Sequence, residues 1–255
     1  MTTVRILAPS IHRAFLSRDL DKFSYIIAFT GGDGRRYSCL GLTCLPTPLR
    51  KVFTAVPPHS AVKNLRDIIG EIESRLDEKD EVRELALKSS RAIGRLSSAS
   101  IHGLHKGEDS ETPLREAREE AMKLRSVLED HPDLIHSGFV ENALQELCEA
   151  AIVHAIAHGK PLPGPKECSA TDAAYLLGLG DVVGEIRRFA LEELRRGNVA
   201  RAADHLKTME EIFDVLIRFD YPTALVALKH KQDVARSLIE KTRGEVAVAT
   251  RGKAL

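Results

Sequence analysis

The chain has 255 residues, and its 37 Lys and Arg are balanced by 37 Asp and Glu, so the formal net charge is zero. That length buries roughly 70–75% of the unfolded surface without staples and fits one or two domains. Neutral charge leaves any nucleic-acid site to a local basic patch, and no apolar run reaches the ~18 residues of a membrane span.

Residues 1–59 read as an extension. Up to residue 60 there are eight Lys or Arg, three Asp and no Glu, and the first glutamate is Glu71. Gly31 to Gly34 and Pro46, Pro48, Pro57 and Pro58 interrupt any element. A basic, acid-poor start also suits a transit peptide. The reading preferred here is a weakly structured segment or a start codon assigned too early, near Val56 or Val62. Gly31-Gly-Asp-Gly34 is not a phosphate loop, since no Gly-Lys-Ser/Thr follows it. The four cysteines, Cys39, Cys44, Cys148 and Cys168, form no Cys-x-x-Cys pair, which predicts reduced thiols in a cytoplasmic protein.

Residues 60–250 read as a single helical domain, with 251–255 as a tail. Leu65, Ile68, Ile69, Ile72 and Leu76 follow the three-and-four spacing of a helix, continued by Leu85, Leu87, Ile93, Leu96, Ile101 and Leu104. This is one long helix or two, ending near Gly103 to Gly107. Thr112-Pro113 opens the next helix, which stops at His131-Pro132. A third helix is expected from Pro132 to His158, and a fourth from Ser169–Asp172 to Gly197, a natural C-terminal glycine. A fifth is expected from about Val199 to Phe219, and a sixth from about Thr223 to Val248. No strand pattern is convincing after residue 60. The fold class predicted is all-α, a bundle of six to seven long helices.

The chemistry concentrates on the third and fourth helices. Glu146 and Glu149 share a face with Val153, Ile156 and Ala157 on a helix that is apolar nearly all round in its second half. Asp181 and Glu185, four apart, share a face of the next helix beside Gly178 and Gly184. Three helical glycines cost roughly 1 kcal/mol each, a cost that close approach of a backbone or ligand would offset. Buried carboxylates stay ionised only beside a cation. Four of them suit a hard divalent ion, Mg2+ or Mn2+, held by Glu146, Glu149 and Asp181, with Glu185 as outer ligand or general base. The competing reading is structural, with the acids paired to Arg187 or Arg188. Glu-x-x-Glu also occurs at Glu81/Glu84 and Glu116/Glu119 among charged neighbours, where it reads as a solvated face.

Gln145-Glu-Leu-Cys-Glu-Ala150, followed by Tyr175-Leu-Leu-Gly-Leu-Gly-Asp-Val-Val-Gly-Glu185, resembles the translin family, and more closely its factor X branch than translin itself. The likeness extends over about residues 62–248. It includes the stretch from Arg83-Glu84 to His105 and the Gly197-Asn198 turn. The branch keeps acids at positions matching Glu146, Glu149 and Asp181, with a further acid matching Glu185. The resemblance implies a magnesium-dependent endoribonuclease acting on single-stranded RNA, with single-stranded DNA as a second candidate. It also implies a seven-helix bundle that assembles into hollow octamers, here a homo-oligomer. Residues 1–60 have no counterpart in the family. The basic, histidine-containing segment of translin is only faintly echoed by His131 and His136.

Other groups are weaker. Lys88, Arg91 and Arg95, with His102, His105 and Lys106, make a phosphate-binding stripe or an ordinary solvated face. Few aromatics accompany them, so base stacking there is unsupported. Arg188 falls on the Asp181 and Glu185 face and joins the expected nucleic-acid contacts. His154 and His158 have zinc-compatible spacing but no third ligand, and read as helix-end histidines. Cys148 reads as a small core residue. Three functions compete: a metal-dependent endoribonuclease, a non-catalytic shell for single-stranded RNA or DNA, and a di-iron carboxylate bundle. The last lacks the Glu-x-x-His pairs it needs, Asp133-x-x-His136 being the nearest match.

Overall fold

The computed structural model describes residues 64–252 and the backbone of three short strands before them. β1 (Ala14–Arg18), β2 (Tyr25–Thr30) and β3 (Arg36–Leu40) form one antiparallel sheet in that order. Ala14 lies opposite Phe29, and Ile26 opposite Leu40. These segments are rich in aromatic and β-branched residues, which suit a pleated backbone. The glycine run at 31–34, Cys44, the start-codon candidates Val56 and Val62, and residues 253–255 of the tail lie outside the described residues.

From Leu65 the chain is helical. Among the described residues there are seven helices: α1 (Leu65–Lys106), α2 (Glu111–Val127), α3 (Pro132–Ile135), α4 (Gly138–Ala157), α5 (Asp172–Arg195), α6 (Val199–Leu216) and α7 (Lys229–Gly252). The fold of this region is the all-α bundle expected. None of these helices is long and apolar enough to cross a membrane.

Two boundaries differ from the sequence reading. The helix expected from Pro132 to His158 is two helices. Ser137 is extended (φ −71°, ψ 142°), and its hydroxyl donates to the Leu134 carbonyl at 2.6 Å, which ends one helix and turns the chain into the next. The final helix begins at Lys229, six residues later than predicted from Thr223, because 217–228 form turns around Pro222. Elsewhere local signals act as read. α1 is one continuous helix of 42 residues. Thr171 caps α5 by accepting from the Ala174 N–H at 3.1 Å. Gly197, at φ +79°, lets Asn198 N–H return to the Glu193 carbonyl at 2.8 Å.

The core is built on α4. Val140, Ala143, Leu144, Leu147, Cys148 and the run Ala150–Ala155 are buried, so its only polar openings lie where other helices leave room. α1 packs inward through small residues. Ala86, Ser90, Ile93, Ser97, Ser100 and Gly103 are buried, whereas Leu65, Ile68, Ile69, Ile72, Leu76 and Leu85 are exposed. The first half of the apolar stripe is exposed, and the contact face begins in the second half, where small residues sit beside Ile93, Leu96, Ile101 and Leu104.

α5 crosses α4 at Gly178. A β-carbon there would lie 2.6 Å from the Gln145 carbonyl oxygen, 3.0 Å from Cys148 Cβ and 3.2 Å from the Glu149 nitrogen. Backbone cannot yield as a side chain does, so a methyl group at 178 forces the helices apart. Overpacking of this kind costs about 1–3 kcal/mol. Gly178→Ala is expected to lower Tm by about 2–10 °C at this chain size. Gly184→Ala, whose methyl would meet only Leu238 Cδ1 at 4.0 Å, should leave Tm unchanged or slightly raised. Differential scanning calorimetry of the two variants checks the contrast.

Candidate functional site

The α4–α5 crossing fixes the acids. Glu146 and Glu149 follow Gln145, whose carbonyl touches Gly178, and Asp181 and Glu185 lie one and two turns beyond Gly178. All four carboxylates line one cleft of about 470 Å³. α1 closes it with Ser97, Ser98, Ile101 and His102, α4 adds Gln145, and α5 adds Arg188.

The acids fall into two kinds. Asp181 and Glu185 are held. Asp181 Oδ1 accepts from Lys231 Nζ of α7, and its Oδ2 accepts from Gln145 Nε2 at 2.6 Å. Glu185 Oε2 lies 2.5 Å from His105 Nε2 and 3.8 Å from Arg188 Nη1. Glu146 and Glu149 have no hydrogen bond or ion pair among the described residues. The Glu146 carboxylate instead rests against α1, where Gly94 has no side chain; a β-carbon there would lie 2.9 Å from Oε2.

Burial and the Asp181 charge both raise the Glu146 pKa. Glu149 is pushed up to about 8, first by burial, then by the charges of Asp181 and Glu185; Lys231 opposes this and Glu146 adds to it. For both acids burial is the larger cause and neighbouring negative charge the second.

The donor chemistry fits a hard divalent ion, since four carboxylates from two helices offer oxygen ligands in one polar cleft. As the side chains stand, no three acids or histidines among the described residues converge closely enough to hold a metal. Both Asp181 oxygens already accept hydrogen bonds, from Lys231 and Gln145.

The sequence candidates are placed as follows. Lys88, Arg91 and Arg95 are exposed on α1. Arg91, Arg95, Ser98 and His102 follow four-, three- and four-residue steps, so the basic stripe shares the helix face whose later residues line the cleft. His105 is not part of that open stripe. Its side chain is only 7% exposed, held on Glu185 and packed on Phe189 at 4.3 Å between ring centroids. Arg187 stays out of the cleft and donates to both Glu245 carboxylate oxygens at 2.8 Å. His154 and His158 stack at 4.2 Å, with His158 Nδ1 donating to the His154 carbonyl at 2.8 Å. Cys148 is fully buried and forms no disulfide among the described residues.

Two partners of Asp181 escaped the sequence reading. Gln145 was legible, since it lies four residues before Glu149 on the same helix face. Lys231 was not. It stands fifty residues from Asp181 on a helix with no motif, and only the packing of α7 on α5 brings it in.

Comparison with known proteins agrees with this architecture. The Translin family profile matches residues 79–244. The uncharacterized protein MJ0175 of Methanocaldococcus jannaschii is 36% identical over 175 residues, 67% of this chain and 78% of that protein. The crystal structure of AfC3PO superposes with a TM-score of 0.67 at 34% identity, covering 73% of this chain and 99% of that one. The AfC3PO–duplex RNA complex gives 0.60 at 32% identity, covering 73% and 98%. The fold is shared more distantly with apo-NeC3PO, at 22% identity and a TM-score of 0.64, covering 74% and 99%. With the family profile spanning most of the helical region and these relatives sharing its fold, the chain belongs to the translin family.

Proposed function

We propose that the chain binds single-stranded RNA and cleaves it with a divalent ion, Mg2+ or Mn2+, in the α4–α5 cleft. The observation that carries this reading is the gathering of four carboxylates in one cleft with too few cations to balance them. Binding of RNA as such is supported by the relative that is 32% identical and bound to duplex RNA. Glu146, Glu149 and Asp181 would hold the ion, which when bound lowers the pKa of water and steadies charge on a phosphodiester.

The chain's own residues supply the rest. Glu185, kept in place by His105, takes the proton of the attacking water. Arg188, exposed at the rim, contacts the phosphate being cut. Lys88, Arg91 and Arg95 carry the strand's backbone along α1 to the opening. As in the family resemblance, the chain works as a homo-oligomer, an octamer. A second reading, a shell that binds single-stranded RNA or DNA without cutting it, draws on the engaged state of Asp181, which is hydrogen-bonded at both oxygens.

A cleavage assay with labelled single-stranded RNA, with and without Mg2+, separates the two readings. Cleavage should require the ion. Glu149→Ala or Asp181→Ala should reduce it by about 100-fold or more, several kcal/mol of transition-state stabilisation, while the assembly elutes unchanged on size exclusion. Full activity in both variants eliminates the site.

The Glu149 pKa makes a separate prediction for metal-free protein. Folded, Glu149 keeps its proton to about pH 8; its ordinary value is 4.5. Between these values the folded state binds more protons, so the stability Glu149 contributes is full at low pH and is lost as pH rises through about 8. Melting curves should therefore show wild type losing Tm across this window relative to Glu149→Gln, and added Mn2+ should remove the difference.

For the basic stripe, replacing Lys88, Arg91 and Arg95 together by Gln should weaken single-stranded RNA binding. It should also flatten the salt dependence of log K by about 2, at ~0.7 for each phosphate no longer neutralised. Fluorescence anisotropy over a salt series measures both.

A further inference from the structure

We propose that Lys231 is a resident counter-ion, seated where a divalent ion would bind and displaced when one arrives. This rests on the reading of the cleft as a divalent-cation site. The seat itself carries the proposal. Lys231 Nζ donates to Asp181 Oδ1, and the other oxygen accepts from Gln145. The two charged side chains are 25% and 27% exposed, so the pair is part-buried yet open on one side.

The lysine stem lies against bare backbone. A β-carbon on Gly180 would fall 2.8 Å from Lys231 Cβ and 3.2 Å from its Cγ. The residue next to Asp181 therefore lacks a side chain at the point where the lysine passes. Gly180 thus has a packing reason distinct from that of Gly178, which admits α4.

An ammonium group is a compact charge on a flexible stem. A divalent ion on Asp181 and an ammonium at the same carboxylate repel one another, so one must leave. The stem is long enough to swing Nζ to the open side. Without metal, Lys231 keeps Asp181 neutralised and the cleft folded. With metal, its departure frees Oδ1 as a ligand. This makes metal affinity a competition with an internal cation rather than a property of the acids alone.

The test is Mn2+ binding by the full-length protein, followed by the electron paramagnetic resonance signal of free Mn2+. Lys231→Met keeps the stem and removes the charge, and Lys231→Gln, a neutral polar substitute, guards against misfolding of the first. Circular dichroism confirms folding. Both variants should bind Mn2+ about fivefold or more tightly than wild type, within the usual range of coupling between sites. Saturating Mn2+ should raise their Tm by more than it raises that of wild type. Unchanged or weaker binding in the folded variants overturns the role of Lys231 but leaves the metal site standing, provided that wild type binds Mn2+ and Glu149→Gln does not. If wild type shows no such Glu149-dependent binding, the metal reading falls and this inference with it.

Discussion

The structure depends on one close crossing. At Gly178 the backbone of α5 meets the backbone of α4, and no side chain separates them. Everything chemical follows from that distance. The carboxylates that flank the crossing on the two helices cannot avoid each other's field, which water screens least at the more buried Glu149. A wider crossing would place the same four acids on two separate solvated faces, where Glu-x-x-Glu is commonplace.

Much of this was readable in advance. Glycines at 178, 180 and 184 inside a helix signalled close approach, and at two of them it is found: the Gln145 carbonyl at 178 and the Lys231 stem at 180. Caps and turns were legible because they are local. Thr171 and Gly197 act through hydrogen bonds spanning a few residues. The contact face of α1 was legible only in part. Periodicity weights large apolar residues, and it found Ile93, Leu96, Ile101 and Leu104, but it missed the alanine, serines and glycine buried beside them, whose hydropathy carries little signal. Lys231 was hidden for a different reason. Its meaning comes from a residue fifty positions away, and single-sequence spacing holds no record of such a pairing. His105 shows a third kind of limit. Its place beside arginines and a lysine suggested an open basic stripe, but a small rotation along the helix turns it inward, onto Glu185.

The helices outside the crossing serve mainly to hold partners at fixed positions. α1 supplies His105, α7 supplies Lys231, and each reaches a different acid of α5. Phe189, one turn beyond Glu185, packs against His105 and, at 5.8 Å, against His205 of α6. The imidazole that holds Glu185 is therefore itself pinned by an aromatic ring, which limits the positions Glu185 can adopt. Arg187, adjacent to Arg188, is spent on Glu245, so only one of the two neighbouring arginines faces the cleft. The electrostatic character of the site is thus set by four helices although its acids come from two.

The division of the acids carries a consequence of its own. Asp181 and Glu185 have partners that fix their direction, whereas Glu146 and Glu149 have none; burial and then the Asp181 charge raise the pKa of both, and the Glu185 charge raises that of Glu149 further. A group in that condition responds strongly to added positive charge. Two elementary charges entering the cleft would favour the anionic form of Glu149 by the same Coulomb interaction that now disfavours it, and would create ligands in the act of binding. The site is therefore better described as a set of acids poised to ionise than as a preformed cage. Its affinity for a cation should depend as much on the protons and the ammonium that leave as on the oxygens that remain.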